Sequence, residues 1–284
     1  MNTSTVTVTI PATTSNIGPG FDAFGIALQL TNKVTLRKEE HPMPLSSMVQ
    51  EAAALFFSKT AITPFPFSID IEGDIPSARG LGSSVTVRLG VLLALNKLTQ
   101  NLLSRNDLYH LAVSLEGHAD NASPALFGGF TIARAHHKPL CYQLSSELHF
   151  ILLIPDFEVS TASARKLLPP MVSMEDAVAN LANAAVIATA FATGKYELMR
   201  GAFQDRLHQP FREPLIPYLS EALKAAESVG ALGGWLSGSG STIAAIVEDE
   251  KIAQRVVSIF QEIAPAESSC IISKVNNEGA TILE

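Results

Sequence analysis

The chain has 284 residues and a formal net charge of −7, with 47% hydrophobic and 17% charged residues. That supplies enough apolar material for a packed core in one large domain or two modest ones, and it excludes a disordered chain. An acidic chain lacks the basic face that non-specific nucleic-acid binding needs, so an anionic ligand must be held by local groups: helix-start N–H groups and a few arginines. The two cysteines, Cys141 and Cys270, make neither a disulfide framework nor a zinc site and read as reduced thiols of a cytoplasmic protein. The opening MNTSTVTVTIPATT has no basic n-region and no apolar h-region, so no signal peptide is expected. The longest apolar runs, such as Gly90–Leu95 and Phe150–Pro155, are too short to span a bilayer, and no membrane partner is expected.

In chain order, Thr3–Ile10 alternates Thr with Val or Ile and predicts a half-buried strand. Pro11–Gly20, rich in Pro, Thr, Ser, Asn and Gly, predicts a loop. A strand over Ile26–Leu36, a helix over Ser46–Ser58 and a strand over Phe67–Ile71 follow. A Gly-rich loop at Ser77–Ser84 leads into an apolar helix over Ser83–Leu98. Ser104, with Asp107 at the third helical position, predicts the start of a helix that ends near Gly117. Strands are expected over Phe127–Ala133 and His149–Ile154. The second half is mainly helical, over Thr161–Leu168, Met174–Ala192, Glu197–Gln204 and Leu215–Val229. The chain then reads strand (Ala231–Ser237), Gly/Ser loop, strand (Thr242–Val247), helix (Glu250–Ile263) and strand (Ser269–Val275). Strands and helices mix without regular βαβ alternation, which predicts an α+β protein, with a domain boundary near residue 155.

The strongest local signal is Pro76-Ser-Ala-Arg-Gly-Leu-Gly-Ser-Ser84, a strand-to-helix loop. Glycines let the backbone wrap a bulky anion, and the free N–H groups and dipole of the following helix attract it. The bland alternative is an ordinary turn with a Ser cap. No Walker A loop exists, because the only Gly-Lys pair, Gly194-Lys195, is followed by Tyr196. Gly18-Pro-Gly-Phe-Asp-Ala23 is a poor dinucleotide fingerprint, since its strand ends too early and no helix follows. Asn16 and Asp22 in the Pro11–Asp22 stretch either present binding groups or serve an Asx-type turn. Glu116-Gly-His-Ala-Asp-Asn121 puts four polar groups at a helix end; carboxylates there suit Mg²⁺, and the bland reading is a solvated helix terminus. Leu236-Ser-Gly-Ser-Gly-Ser-Thr242, between two strands, reads most simply as a hairpin loop, and Trp235 as core.

Taken in order, the N-terminal PATTSNIGPGFD loop, the PSARGLGSS loop and the C-terminal Gly-rich loop resemble the GHMP kinases over most of the chain. That resemblance implies an N-terminal mixed β/α domain with the phosphate loop (residues 1–155) and a C-terminal ferredoxin-like α/β domain (residues 156–284). It implies ATP and Mg²⁺ as cofactors. Pro76, Ser77, Ala78, Arg79, Gly80, Leu81, Gly82, Ser83 and Ser84 would cradle the nucleotide phosphates. Ser84 and Glu116 would hold the metal and, with Arg165, make up the catalytic set.

Within the family, PATTSNIGPGFDAFGIAL, EGHADNASPALFGGF, Ser160-Thr-Ala-Ser-Ala-Arg165 and His208-Gln-Pro-Phe-Arg212 are most similar to the branch that phosphorylates L-homoserine in threonine biosynthesis. The implied pocket for that substrate is Asn16, Asp22, His118, Asp120, Asn121, Thr161, Arg165 and Arg212. The residue chemistry agrees, because an amino acid needs a carboxylate for its ammonium and a forked cation for its carboxylate. Other family members often use an Asp as base near Asp120-Asn121; this branch looks to lack it, so Asp120 is assigned to substrate binding and the base stays open. The resemblance also allows a homodimer. Three departures stand out: a short Arg37–Ser46 region, SGSGST where an Ala and a Pro are usual, and Arg88 where a small apolar residue is expected. The alternatives are a family member acting on threonine, shikimate or mevalonate, and a non-catalytic binding protein on the same fold.

Overall fold

The computed structural model describes residues 4–134 and 137–283. Two sheets organise it. The first takes strands from both ends of the chain: β1 (Thr5–Ser15), β2 (Phe24–Lys38), β3 (Phe67–Gly73), β4 (Phe130–Arg134), β5 (His137–Tyr142) and β10 (Thr281–Leu283). Its order is β10-β1-β2-β4-β5, with β3 paired to β2. The second sheet is β6 (His149–Ile154), β7 (Gly233–Leu236), β8 (Ile243–Val247) and β9 (Ser269–Ser273), in the antiparallel order β7-β8-β6-β9. β6 is therefore already in the second sheet, and β10 returns to the first.

Alternation along β1 and β2 turns Val6, Val8, Ile10, Val34 and Leu36 to one face, where they bury against four helices. These are α1 (Ser47–Thr60), α2 (Ser83–Leu98), α3 (Arg105–Glu116) and α4 (Ala122–Phe127). α3 begins with the expected capping box between Ser104 and Asp107 and ends at Gly117 in the left-handed region. On the second sheet, α8 (Leu219–Ser228) and α9 (Glu250–Ile263) cover one face, with Ile151, Leu153, Ala222, Ala226, Val256 and Phe260 in the core. The other face packs towards the first sheet through Phe24, Phe130, Phe150, Phe191, Phe203 and Trp235. Between β6 and β7 along the chain come α5 (Thr161–Lys166), α6 (Met174–Thr193) and α7 (Gln209–Arg212).

Several expectations are corrected. The polar stretch after Ile10 is not all loop: β1 continues to Ser15 after a register shift between Pro11 and Thr13. Thr13 and Thr14 are fully buried and find distant partners, Asn121 Oδ1 for the Thr13 hydroxyl (2.7 Å) and Trp235 Nε1 donating to Thr14 (2.8 Å). Ala122–Phe127 is a helix that the sequence reading missed, and it tolerates Pro124 because that residue sits in the first turn. The helix expected over Glu197–Gln204 is a single 3₁₀ turn, Tyr196–Met199, cut short by Gly201 at φ 77°. β5 and β10 were not anticipated. Thr3 of the expected first strand lies outside the described residues, as does His136.

One expectation about length also changes. α6 is long and apolar enough to cross a membrane by length and composition, although no single unbroken apolar run announces it. Its polar groups are engaged with this chain: Asn180 donates to the Pro19 carbonyl (2.7 Å) and accepts from the Arg206 N–H (3.0 Å), and Asn183 donates to the Gln204 carbonyl (3.0 Å).

Candidate active site

A cavity of about 420 Å³ opens between the sheets. Its floor is the start of α2. Gly82 is the residue before the helix, in the left-handed region at φ 71°, and no side chain caps the first turn. The N–H groups there stay available to an anion. Gly80, at φ 75°, cannot be replaced freely, because a Cβ would meet the Ser237 carbonyl oxygen. The loop is stitched in place from both sides: Thr13 N–H donates to the Leu81 carbonyl (3.1 Å) and Thr242 N–H to the Arg79 carbonyl (3.2 Å).

The cavity gathers almost every residue singled out from sequence: Asn16, Asp22, Ser77, Ala78, Arg79, Gly80, Gly82, Ser83, Ser84, Glu116, His118, Asp120, Asn121, Thr161, Arg165 and Arg212. Pro76 and Leu81 are not in its lining; Leu81 is core beneath the loop, 1% exposed. The Arg79 side chain turns to the other strand-to-helix connection, donating to the Pro155 carbonyl (3.0 Å) and to Asp156 (3.0 Å). Ser15, Met48, Val87, Val159, Ser160, Gly238 and Ser239 line the cavity without having been singled out as binding residues. Gly238 and Ser239 lie in the loop read as a hairpin, which bends in to accept the Asn16 amide at the Gly238 carbonyl (2.7 Å). Met48 and Val87 carried no signal, since apolar helical residues look like core.

At the α2 end, the Ser84 hydroxyl donates to Glu116 Oε2 at 2.9 Å. Two hard oxygen donors side by side, beside an uncapped helix start, fit Mg²⁺, which keeps several waters and shares phosphate oxygens rather than needing a full protein cage. Among the described residues no group of three or more His, Cys, Asp or Glu is placed to hold a metal. Arg88, one helical turn on, grips the other Glu116 oxygen at 2.7 Å.

The opposite end is built for a zwitterion. Arg165 makes a forked pair with Asp22, at 3.0 and 2.7 Å. The hydrogen bonds to Asp22, set against partial burial, raise the Arg165 pKa. Asn16, held at φ 69°, accepts the Asp22 N–H (3.0 Å) and so fixes that carboxylate. Arg212 is 2% exposed; its Nη1 donates to the Gly238 carbonyl (2.9 Å), and its Nε is buried without a partner. Phe21 lies between the two guanidiniums, 5.6 Å from Arg165 and 5.2 Å from Arg212. Between the two ends, His118 Nδ1 pairs with Asp120 at 2.8 Å. Burial pushes the Asp120 carboxyl up, but bonds from His118, Ser15 and the Asn121 N–H outweigh it and hold it low. The same Asp120 bond, against burial, raises His118.

His208 anchors this end from behind. It is fully buried, stacks on Phe21 with centroids 5.1 Å apart, and meets the Gly18 carbonyl (3.1 Å) through Nε2 and Arg212 Nη1 (3.3 Å) through Nδ1. A neutral ring satisfies both contacts, Nε2–H donating and Nδ1 accepting. Burial is the main cause of a pKa lowered to about 4; Asp205 pulls it up and Arg212 pushes it down. The folded value lies below the unfolded 6.5, so this stabilisation is complete above pH 6.5 and is lost as pH falls towards 4. Urea midpoints should fall steeply between pH 6.5 and 4, and His208→Gln should flatten that slope; an unchanged slope in the variant would refute the assignment.

Comparison with known proteins agrees with this geometry. Residues 47–129 match the family model for the GHMP kinases N terminal domain, and residues 187–266 that for GHMP kinases C terminal. The chain is 37% identical over 295 residues to a homoserine kinase of Clostridium beijerinckii, covering 98% of this chain and 99% of the relative. It is 34% identical over 294 residues to a homoserine kinase of Aquifex aeolicus, covering 98% and 99%. Among solved structures it resembles the homoserine kinase of Cytophaga hutchinsonii, with a TM-score of 0.88, 27% identity, and 100% and 98% of the two chains covered.

Proposed function

This chain belongs to the GHMP kinases, and on that premise we propose that it transfers the γ-phosphoryl group of ATP to the side-chain hydroxyl of L-homoserine, a step of threonine biosynthesis. The observation that carries the proposal is the opposition, within one cavity, of an uncapped helix start and a buried arginine set beside a carboxylate. The phosphates lie on the N–H groups of residues 83–85 with Gly80 and Gly82 close beneath them. Ser84 and Glu116 would hold Mg²⁺, which when bound would supply neutralisation of phosphate charge. At the far end the substrate ammonium meets Asp22 and the buried Asp120, and its carboxylate meets Arg212 and Arg165. Asn16, His118, Asn121 and Thr161 shape the space between, so that the hydroxyl points back at the phosphate loop. Direct transfer of this kind depends on positioning and charge neutralisation more than on a strong base, and no residue is assigned as one.

Calorimetric titration onto the ATP-analogue complex tests the pocket. L-Homoserine should bind, whereas 3-aminopropan-1-ol, which lacks the carboxylate, and 4-hydroxybutyrate, which lacks the ammonium, should each bind at least about a hundredfold more weakly. Equal binding of all three would reject a zwitterion pocket.

We read the protein as cytoplasmic, where ATP and Mg²⁺ are supplied, and as a homodimer. Support for the dimer is an apolar surface along and before α6, where Met171, Met174, Val178 and Leu181 are exposed by 83, 79, 57 and 71%. Light scattering should give twice the 30.3 kDa chain mass, and Val178→Glu with Leu181→Glu should halve it. A monomeric parent would refute the dimer.

A further inference from the structure

Arg88 is a charged group near the phosphate loop to which the proposed transfer gives no part. It stands one turn after Ser84, on the same face of α2. Its Nη1 donates to Glu116 Oε1 at 2.7 Å and its Nη2 to Glu51 Oε2, on α1, at 3.3 Å, while its Nε is buried without a partner. The Glu116 side chain is only 5% exposed and the Arg88 side chain 17%, so this contact is weakly screened. Glu116 thus has one oxygen committed to a guanidinium and the other, Oε2, to the Ser84 hydroxyl beside the cavity.

We propose that Arg88 is a positioning residue that makes Glu116 a single-oxygen metal ligand and weakens the site's grip on a bare divalent cation, so that metal enters mainly with the nucleotide. The physical reason is charge. A dication at Oε2 meets a carboxylate already largely neutralised by the guanidinium on Oε1, and it is repelled by that guanidinium. A nucleotide brings its own negative oxygens, which restore the balance and complete the coordination. Glu51 tempers the effect by sharing the Arg88 charge. The result is an enzyme that holds a metal only weakly in the absence of ATP. The proposal rests on Ser84 and Glu116 being the metal ligands.

Mn²⁺ titrated into nucleotide-free protein and followed by electron paramagnetic resonance tests it without any turnover. Arg88→Met should bind Mn²⁺ about tenfold more tightly than the parent. Glu51→Gln, an exposed and well-tolerated change, should move affinity the other way, because it leaves more of the Arg88 charge on Glu116. The sign separates this from a merely structural arginine, whose loss would disorder Glu116 and weaken Mn²⁺ binding. Unchanged or weaker binding in Arg88→Met overturns the proposal, as does unchanged or tighter binding in Glu51→Gln. Glu116→Gln distinguishes the two levels. If it abolishes Mn²⁺ binding while Arg88→Met leaves it unchanged, the metal site stands and the Arg88 role falls. If Glu116→Gln leaves Mn²⁺ binding intact, both fall.

Discussion

Arg212→Lys should lower kcat/KM for L-homoserine by about a hundredfold to a thousandfold and leave ATP-analogue affinity within about twofold. In the proposed site Arg212 is the buried cation of the acceptor end; it is fixed by the Gly238 carbonyl and the neutral His208 ring, with an Nε that has no protein partner. A donor left unsatisfied in a buried place is costly unless a ligand answers it. Lysine keeps the charge but has no planar fork, so it cannot present two parallel donors to a carboxylate. The loss should appear mainly in KM, because a carboxylate that does not react is held alike in the ground and transition states. Steady-state kinetics with a thermal melt of the variant checks this. A variant that folds as well as the parent and retains full kcat/KM would remove Arg212 from the substrate pocket.

The second large effect falls at the other end of the cavity. Glu116→Gln should lower kcat by about a hundredfold to a thousandfold, with a much smaller change in the KM for homoserine. Ser84→Ala should behave in the same way, because its hydroxyl and Glu116 Oε2 stand 2.9 Å apart and, on the proposed assignment, would act on one ion. Two residues that serve one ligand are not independent, so the double variant should be little worse than the poorer single. Effects that multiply would show that Ser84 and Glu116 do separate jobs.

Local patterns reported faithfully where a segment's own residues decided its structure. α2 at Ser83–Leu98 and α9 at Glu250–Ile263 have the expected ends, and the Ser104–Asp107 capping box is present, because caps and helix period act over a few neighbours. Thr13–Ser15 misled, since their polarity suits a loop until Asn121 and Trp235, more than a hundred residues away, supply partners. β10 is three residues long, and only its pairing with β1 makes it a strand. The site shows the same division. Its residues were found by motif, but their relations were not. Asp22 and Arg165 are 143 positions apart, and nothing local states that they pair with each other. Arg88 looked like an oddity in an apolar helix until α1 and α3 brought Glu51 and Glu116 to it. Met48 and Val87 line the cavity, and no periodicity separates such apolar helical residues from core.

The most direct measurement is ADP release by the purified protein with Mg-ATP, offered in turn L-homoserine, L-threonine, shikimate, mevalonate and galactose, with the product identified by phosphorus NMR. Homoserine alone should be turned over, giving a phosphate monoester on its side-chain oxygen, and turnover should fall by about a hundredfold to a thousandfold in Ser84→Ala. Turnover of another alcohol in preference to homoserine, or none with any of them despite tight ATP binding, would contradict the assignment.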